Sequence, residues 1–323
     1  MSLPTLTELN AAAAVVYRAM PPTPQYSWPQ INAALGAEVW IKHENHTPTG
    51  AFKVRGGLVY FDALTRRLPA VRGVITSTRG NHGQSIGFAS RRHGMQATIV
   101  VPHGNSREQN AAMRAFGVTL IEHGQEFQES REHAMRLAEE RGLHMIPSFH
   151  RDLVSGVASY WTELLRAQPD LQTLFVPIGQ GSGICAAVAA RNALGLSTRI
   201  IGVVSAHALA YKLSFEQKRK CESPVSTVVA DGMACRVPDD ASLEIIFEHV
   251  DEVVAVTDTE VAAAMRLYFV ATHNIAEGAG AAALAAALQL RTRIAGQKIG
   301  LPLCGGNVDH DQFAAILVAG GST

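Results

Sequence analysis

Phe175-Val176-Pro177-Ile178-Gly179-Gln180-Gly181-Ser182-Gly183-Ile184-Cys185-Ala186-Ala187 joins an apolar strand to a helix start through a glycine-rich turn. In such a turn backbone N–H groups converge on an anion, and the helix dipole adds positive potential. Ser182 offers a further hydroxyl donor, so a monophosphate suits the site. A dinucleotide suits it less well. Gly181-x-Gly183-x-x-Ala186 fits the looser form of that fingerprint, but no acidic residue follows about twenty positions on to hold a ribose. No Gly-Lys-Ser/Thr occurs. A plain strand-to-helix turn is the alternative.

The same alternation extends in both directions. Strands are expected at 39–41, 73–76, 97–101, 118–121, 173–178, 200–204 and 298–303. Helices are expected at 7–20 with Thr7 as N-cap, 56–64, 83–93, 106–115, 126–141, 159–167, 183–194, 259–269 and 280–290. This pattern predicts an α/β protein with parallel-rich sheets and helices on both faces. Residues 73–148 hold their own strand–helix series and are expected to form a small mobile domain, with 1–72 and 149–323 forming a larger one.

Zero formal net charge argues against nucleic-acid or membrane-surface partners. Cys185, Cys221, Cys235 and Cys304 form no C-x-x-C pair, so neither a zinc site nor a disulfide framework is indicated. The first residues lack a basic signal-peptide region, and the Ala-rich stretch 279–290 is too short to span a bilayer. A soluble cytoplasmic enzyme is expected.

Lysine is scarce, yet Lys53 sits between Phe52 and Val54, just after the breakers Thr47 to Gly50. Apolar surroundings lower a lysine's pKa and make it a nucleophile suited to condensation with an aldehyde. A helix-start lysine that snorkels to solvent is the alternative. Ser77-Thr78-Arg79-Gly80-Asn81-His82-Gly83-Gln84-Ser85 forms another strand-to-helix loop, whose donors suit a substrate carboxylate. His82 itself reads as a histidine satisfied by local backbone. Leu303-Cys304-Gly305-Gly306-Asn307-Val308 follows the final strand and brings a thiol beside two glycines, where it could approach a flat ring or simply be buried.

Together these runs resemble the pyridoxal-phosphate enzymes of fold type II, in particular the serine/threonine and hydroxyaspartate dehydratases, over roughly residues 23–309. The resemblance implies a two-domain fold. It implies that Lys53 is catalytic, and that Phe52, Lys53, Asn81, Gly179, Gln180, Gly181, Ser182, Gly183, Gly232, Glu277 and Cys304 bind pyridoxal 5'-phosphate. Ser77, Thr78, Arg79, Gly80, Asn81 and His82 are then expected to bind substrate. The implied reaction converts an L-β-hydroxy-amino acid of the threonine/serine, 3-hydroxyaspartate or phenylserine type to a 2-oxo acid and ammonia. A β-replacement synthase or an amino-acid racemase on the same fold is the alternative. A homodimer is implied by resemblance only.

Some positions depart from the family. Arg79 stands where a small residue, often serine, is usual; in racemases that serine is the acid/base on the second face. Arginine cannot serve as a base at neutral pH but could hold a second substrate carboxylate. Arg79 turned outward, or paired with a local acid, is the alternative. The acids with which some members hold a cation after the strand at 200–203 are absent, so no metal is expected. Gly278 replaces the proline that usually follows Glu277, and Ala51 replaces a common serine.

Overall fold

A computed structural model describes residues 1–319. Their strands form two sheets. One runs β1 (Gln25–Ser27), β2 (Glu38–His43), β10 (Lys298–Leu303), β7 (Thr173–Pro177), β8 (Arg199–Ser205), β9 (Glu252–Val256). The other runs β5 (Thr119–Glu122), β4 (Gln96–Val101), β3 (Gly73–Ser77), β6 (His144–Met145). Every pairing is parallel except the β1–β2 edge. Helical crossovers cover both faces, as parallel pairing requires. Branched runs such as Ile200–Val204 are buried throughout, which suits a central strand.

α12 (Gly278–Gln289) is buried over most of its surface and packs against β7, β8, β9 and β10. Its alanines and glycines let its backbone lie close to the loop after β10. A Cβ at Gly280 would collide with the Gly305 carbonyl. No helix among the described residues is long and apolar enough to cross a membrane.

α1 spans Leu6–Tyr17, and its N-cap is Thr5, not Thr7. The decisive residue is Glu8. Thr5 Oγ1 accepts the Glu8 N–H, and the Glu8 carboxylate accepts the Thr5 N–H at 2.7 Å. Thr7 has Asn10 at the reciprocal position, which offers no carboxylate. α3 (Lys53–Arg67) and α7 (Arg151–Ala167) both begin earlier than their apolar patterns suggest. α3 packs against α7 on one side and α4 (Asn81–Arg92) on the other, so it lies between the two sheets and carries Lys53 at its first turn.

Candidate active site

The C-terminal ends of β10, β7 and β3 open onto one cleft, the usual place for a ligand in parallel sheets. Lys53 lines its floor. Its Nζ lies 5.0 Å from the Phe52 ring centroid. Burial lowers its pKa below the ordinary lysine value, while Cys304 and Glu277 pull the other way. The result is an amine more easily freed of its proton than a surface lysine.

Opposite Lys53, the loop Gly179-Gln180-Gly181 ends β7 and opens α8 (Ser182–Ala193). The first N–H groups of α8 have no intrahelical acceptor. Gly181 sits at φ 95°, and a Cβ there would lie 2.6 Å from Ser242 Cβ. Gly181→Ala therefore strains the backbone and displaces the cradle. Roughly tenfold weaker cofactor retention is expected, read as loss of visible absorbance on dialysis.

Cys304 follows β10 and is buried. Burial pushes its thiol well above the ordinary value, and Sγ donates to the Ala279 carbonyl at 3.4 Å. Glu277, just before α12, is also buried. Burial pushes its pKa up to about 7, against hydrogen bonds from the Asn81 side chain and the Asn307 backbone. Asn81 Nδ2 donates to Glu277 Oε1 at 2.6 Å.

Glu277 links stability to pH. Unfolded, it loses its proton near pH 4.5; folded, near pH 7. Its contribution is complete below the first value and is lost as pH rises through the second. Urea unfolding of the cofactor-free protein is expected to show stability falling over that window by up to about 3 kcal/mol, with Glu277→Gln flattening the fall.

The outer cleft is formed by Ser77, Thr78, Arg79, Gly80, Asn81 and His82 at the start of α4, facing Asp231 and Gly232. Thr78 Oγ1 accepts the Gly80 N–H at 3.0 Å, leaving its own proton to donate. Arg79 lines the cleft, half-buried, and makes no ion pair or hydrogen bond with another described residue. Burial raises the pKa of Asp231 across the cleft, and Arg79 partly offsets that rise. His82 corrects the sequence reading. Its Nε2 is buried with no partner among the described residues, not satisfied by backbone, and burial followed by Lys53's charge lowers its pKa to about 3. The imidazole is neutral near pH 7.

Gln109, Phe127 and Gln312 also line the cleft. They come from the start of α5 (Arg107–Ala115), the start of α6 (Phe127–Arg141) and α13 (His310–Val318), and no glycine-rich turn marks them. The amine, the N–H cradle, the slot lined by Phe52, Ala279 and Cys304, and the Asn81 amide fit pyridoxal phosphate in chemistry.

The family described as pyridoxal-phosphate dependent enzyme matches residues 16–305. The chain is 34% identical over 287 residues to an L-threonine ammonia-lyase of Geobacter sulfurreducens, covering 88% of this chain and 71% of that one. It is 32% identical over 298 residues to an L-threo-3-hydroxyaspartate ammonia-lyase of a Pseudomonas species, covering 91% and 92% respectively. Its fold superposes on a pyridoxal 5'-phosphate-dependent aspartate racemase with a TM-score of 0.90 at 27% identity, covering 96% of this chain and 97% of that one.

Proposed function

The chain belongs to the pyridoxal-phosphate dependent enzyme family, and from that premise we propose that it is an ammonia-lyase acting on L-β-hydroxy-amino acids. The observation that carries the reading is the Lys53 amine, lowered in pKa by burial and facing the N–H cradle of α8. Bound between them, the cofactor supplies an electron sink for the charge left when Cα–H breaks. Lys53 Nζ takes that proton as general base. The Thr78 hydroxyl and the free N–H groups at the start of α4 grip the α-carboxylate. The proton that Lys53 has taken would be handed to the departing β-hydroxyl, which leaves as water, and the released enamine takes up water to give a 2-oxo acid and ammonia. Burial keeps the Cys304 thiol protonated, and a neutral group at the place where the resemblance sets it, beside the ring nitrogen, would favour prompt β-elimination over transamination.

The unit 73–148 closes on the remainder to exclude water. Contacts already bridge the mouth of the cleft. Ser106 bonds Asp309, Glu108 bonds His310, and Arg107 pairs with Asp311 at 3.1 Å. On another edge Arg236 pairs with Glu126 at 3.1 Å. The reading also takes the enzyme as a cytoplasmic homodimer, which rests on resemblance; sedimentation equilibrium tests the dimer.

Arg79 narrows the substrate. An arginine in the cleft lining with no ion pair or hydrogen bond to another described residue suits a second carboxylate, and arginine cannot supply the second base of a racemase. A 3-hydroxyaspartate is therefore the best candidate. The test is a keto-acid assay across L-serine, L-threonine, both 3-hydroxyaspartate diastereomers and phenylserine. One 3-hydroxyaspartate is expected to give the highest kcat/KM. Arg79→Ser should lower that value roughly 10- to 100-fold, the cost of one charge-assisted contact, and leave threonine nearly unchanged. Keto acid from none of these substrates would remove the lyase reading.

A further inference from the structure

We propose that Asn307 is a positioning residue that decides which end of the Asn81 amide faces the cofactor. The inference rests on membership of the cofactor family and not on the choice of substrate.

A backbone carbonyl can only accept a hydrogen bond. Asn307 Nδ2 lies 2.8 Å from the Thr49 carbonyl, so the Asn307 NH2 must face that way. The same Nδ2 lies 2.8 Å from the Asn81 amide, and the atom it meets must therefore be Oδ1. The Asn81 NH2 is thereby turned to the other side, where it donates to Glu277 Oε1 at 2.6 Å. One carbonyl thus fixes two amides in series. Where Glu277 is ionised the second contact agrees, because a carboxylate can only accept from Asn81.

Asn307 is itself held. Its backbone N–H donates to Glu277 Oε2 at 3.1 Å, and its carbonyl accepts from Gln109 Nε2 at 3.0 Å. Gly50 lies against its amide, where a Cβ would come within 2.6 Å of Oδ1. Flipping Asn307 would set Oδ1 against the Thr49 carbonyl with no proton between them. A flipped Asn81 would then present a lone pair where, by family resemblance, the cofactor's phenolic oxygen needs a donor. The first NH2 proton of Asn81 goes to Glu277; the second remains for that oxygen.

The experiment is a double-mutant cycle of Asn81→Ala and Asn307→Ala on the holoenzyme. It reads the visible absorption spectrum and the cofactor dissociation constant, neither of which needs a substrate. Asn307→Ala is expected to weaken retention roughly tenfold and to move the visible band in the same direction as Asn81→Ala. In the Asn81→Ala background the further change should stay below about twofold, because the group that Asn307 orients is gone. Equal effects of Asn307→Ala in both backgrounds would make it a packing residue and overturn the proposal, as would no effect in the wild type. Asn307→Leu, similar in size, carries the same cycle if the alanine variant does not fold. Failure of every hydroxy-amino acid to yield keto acid would sink the lyase reading and leave these readouts intact.

Discussion

Lys53→Ala leaves a folded protein with no measurable turnover, kcat falling by about 10³-fold or more, and with the visible absorbance of bound cofactor lost on dialysis. The fold survives because Lys53 is the first residue of α3, alanine favours helix, and the backbone carbonyl of residue 53 still accepts Ser85 Oγ at 2.7 Å. Activity does not survive because, among the described residues, no other lysine lines the cleft. Lys53→Arg is the sharper variant. It retains the charge but cannot shed its proton, so it should be as inactive as alanine. Melting temperature and keto-acid release measured on the same samples check both. Borohydride treatment followed by peptide mass analysis should mark position 53 in the wild type; an unmodified position 53 in a yellow protein would refute the assignment.

The glycine-rich turns were legible because each is a local device. A strand end, a glycine and a helix start lie within a few residues, and Gly179 to Gly183 declare all three. The alternation of strands and helices was legible for the same reason. What sequence pattern misses is whatever distance assembles. Arg55 stands in the lysine run, but one of its partners, Glu163, is 108 residues away. Asn307 could be read as the end of a motif, whereas its grip on Thr49 and Asn81 depends on β10 lying beside β2. β1, β6, β9, α2 (Pro29–Leu35), α9 (Ala210–Gln217), α10 (Asp240–His249) and α13 escaped the pattern. Most are short, and tertiary packing stabilises them more than propensity does. The misplaced cap of α1 was a different fault. The reciprocal Glu8 was within local reach, and the spacing from Thr5 was the signal to use.

Glu44→Ala is expected to destabilise the protein by about 3–5 kcal/mol, the cost of leaving a buried charge without its partner. Behind the first turn of α3 lie Arg55, Glu44, Lys42 and Glu163, at 0%, 0%, 1% and 9% side-chain exposure. Two cations and two carboxylates balance. Glu44 takes Arg55 as a fork, Nε at 2.7 Å and Nη2 at 3.0 Å, and Glu163 joins Arg55 Nη1 to Lys42 Nζ, each at 2.6 Å. Thr23 supplies a hydroxyl to Glu44 Oε1 and a carbonyl to Lys42. With Glu44 gone, one positive charge is left in excess and the Arg55 fork is empty. Arg55 cannot lose a proton, so only Lys42 can relieve the excess, and burial already lowers its pKa below the ordinary lysine value. The deficit should therefore be largest near neutral pH and shrink as pH rises further and Lys42 neutralises. Urea unfolding at several pH values, with unchanged slope, measures this directly. The lost anchor also reaches the chemistry, since Arg55 is two positions after Lys53 in the same helical turn. A loss below about 1 kcal/mol, or one independent of pH, would mean that water enters behind the helix and that the quartet is not the buried support proposed for the lysine.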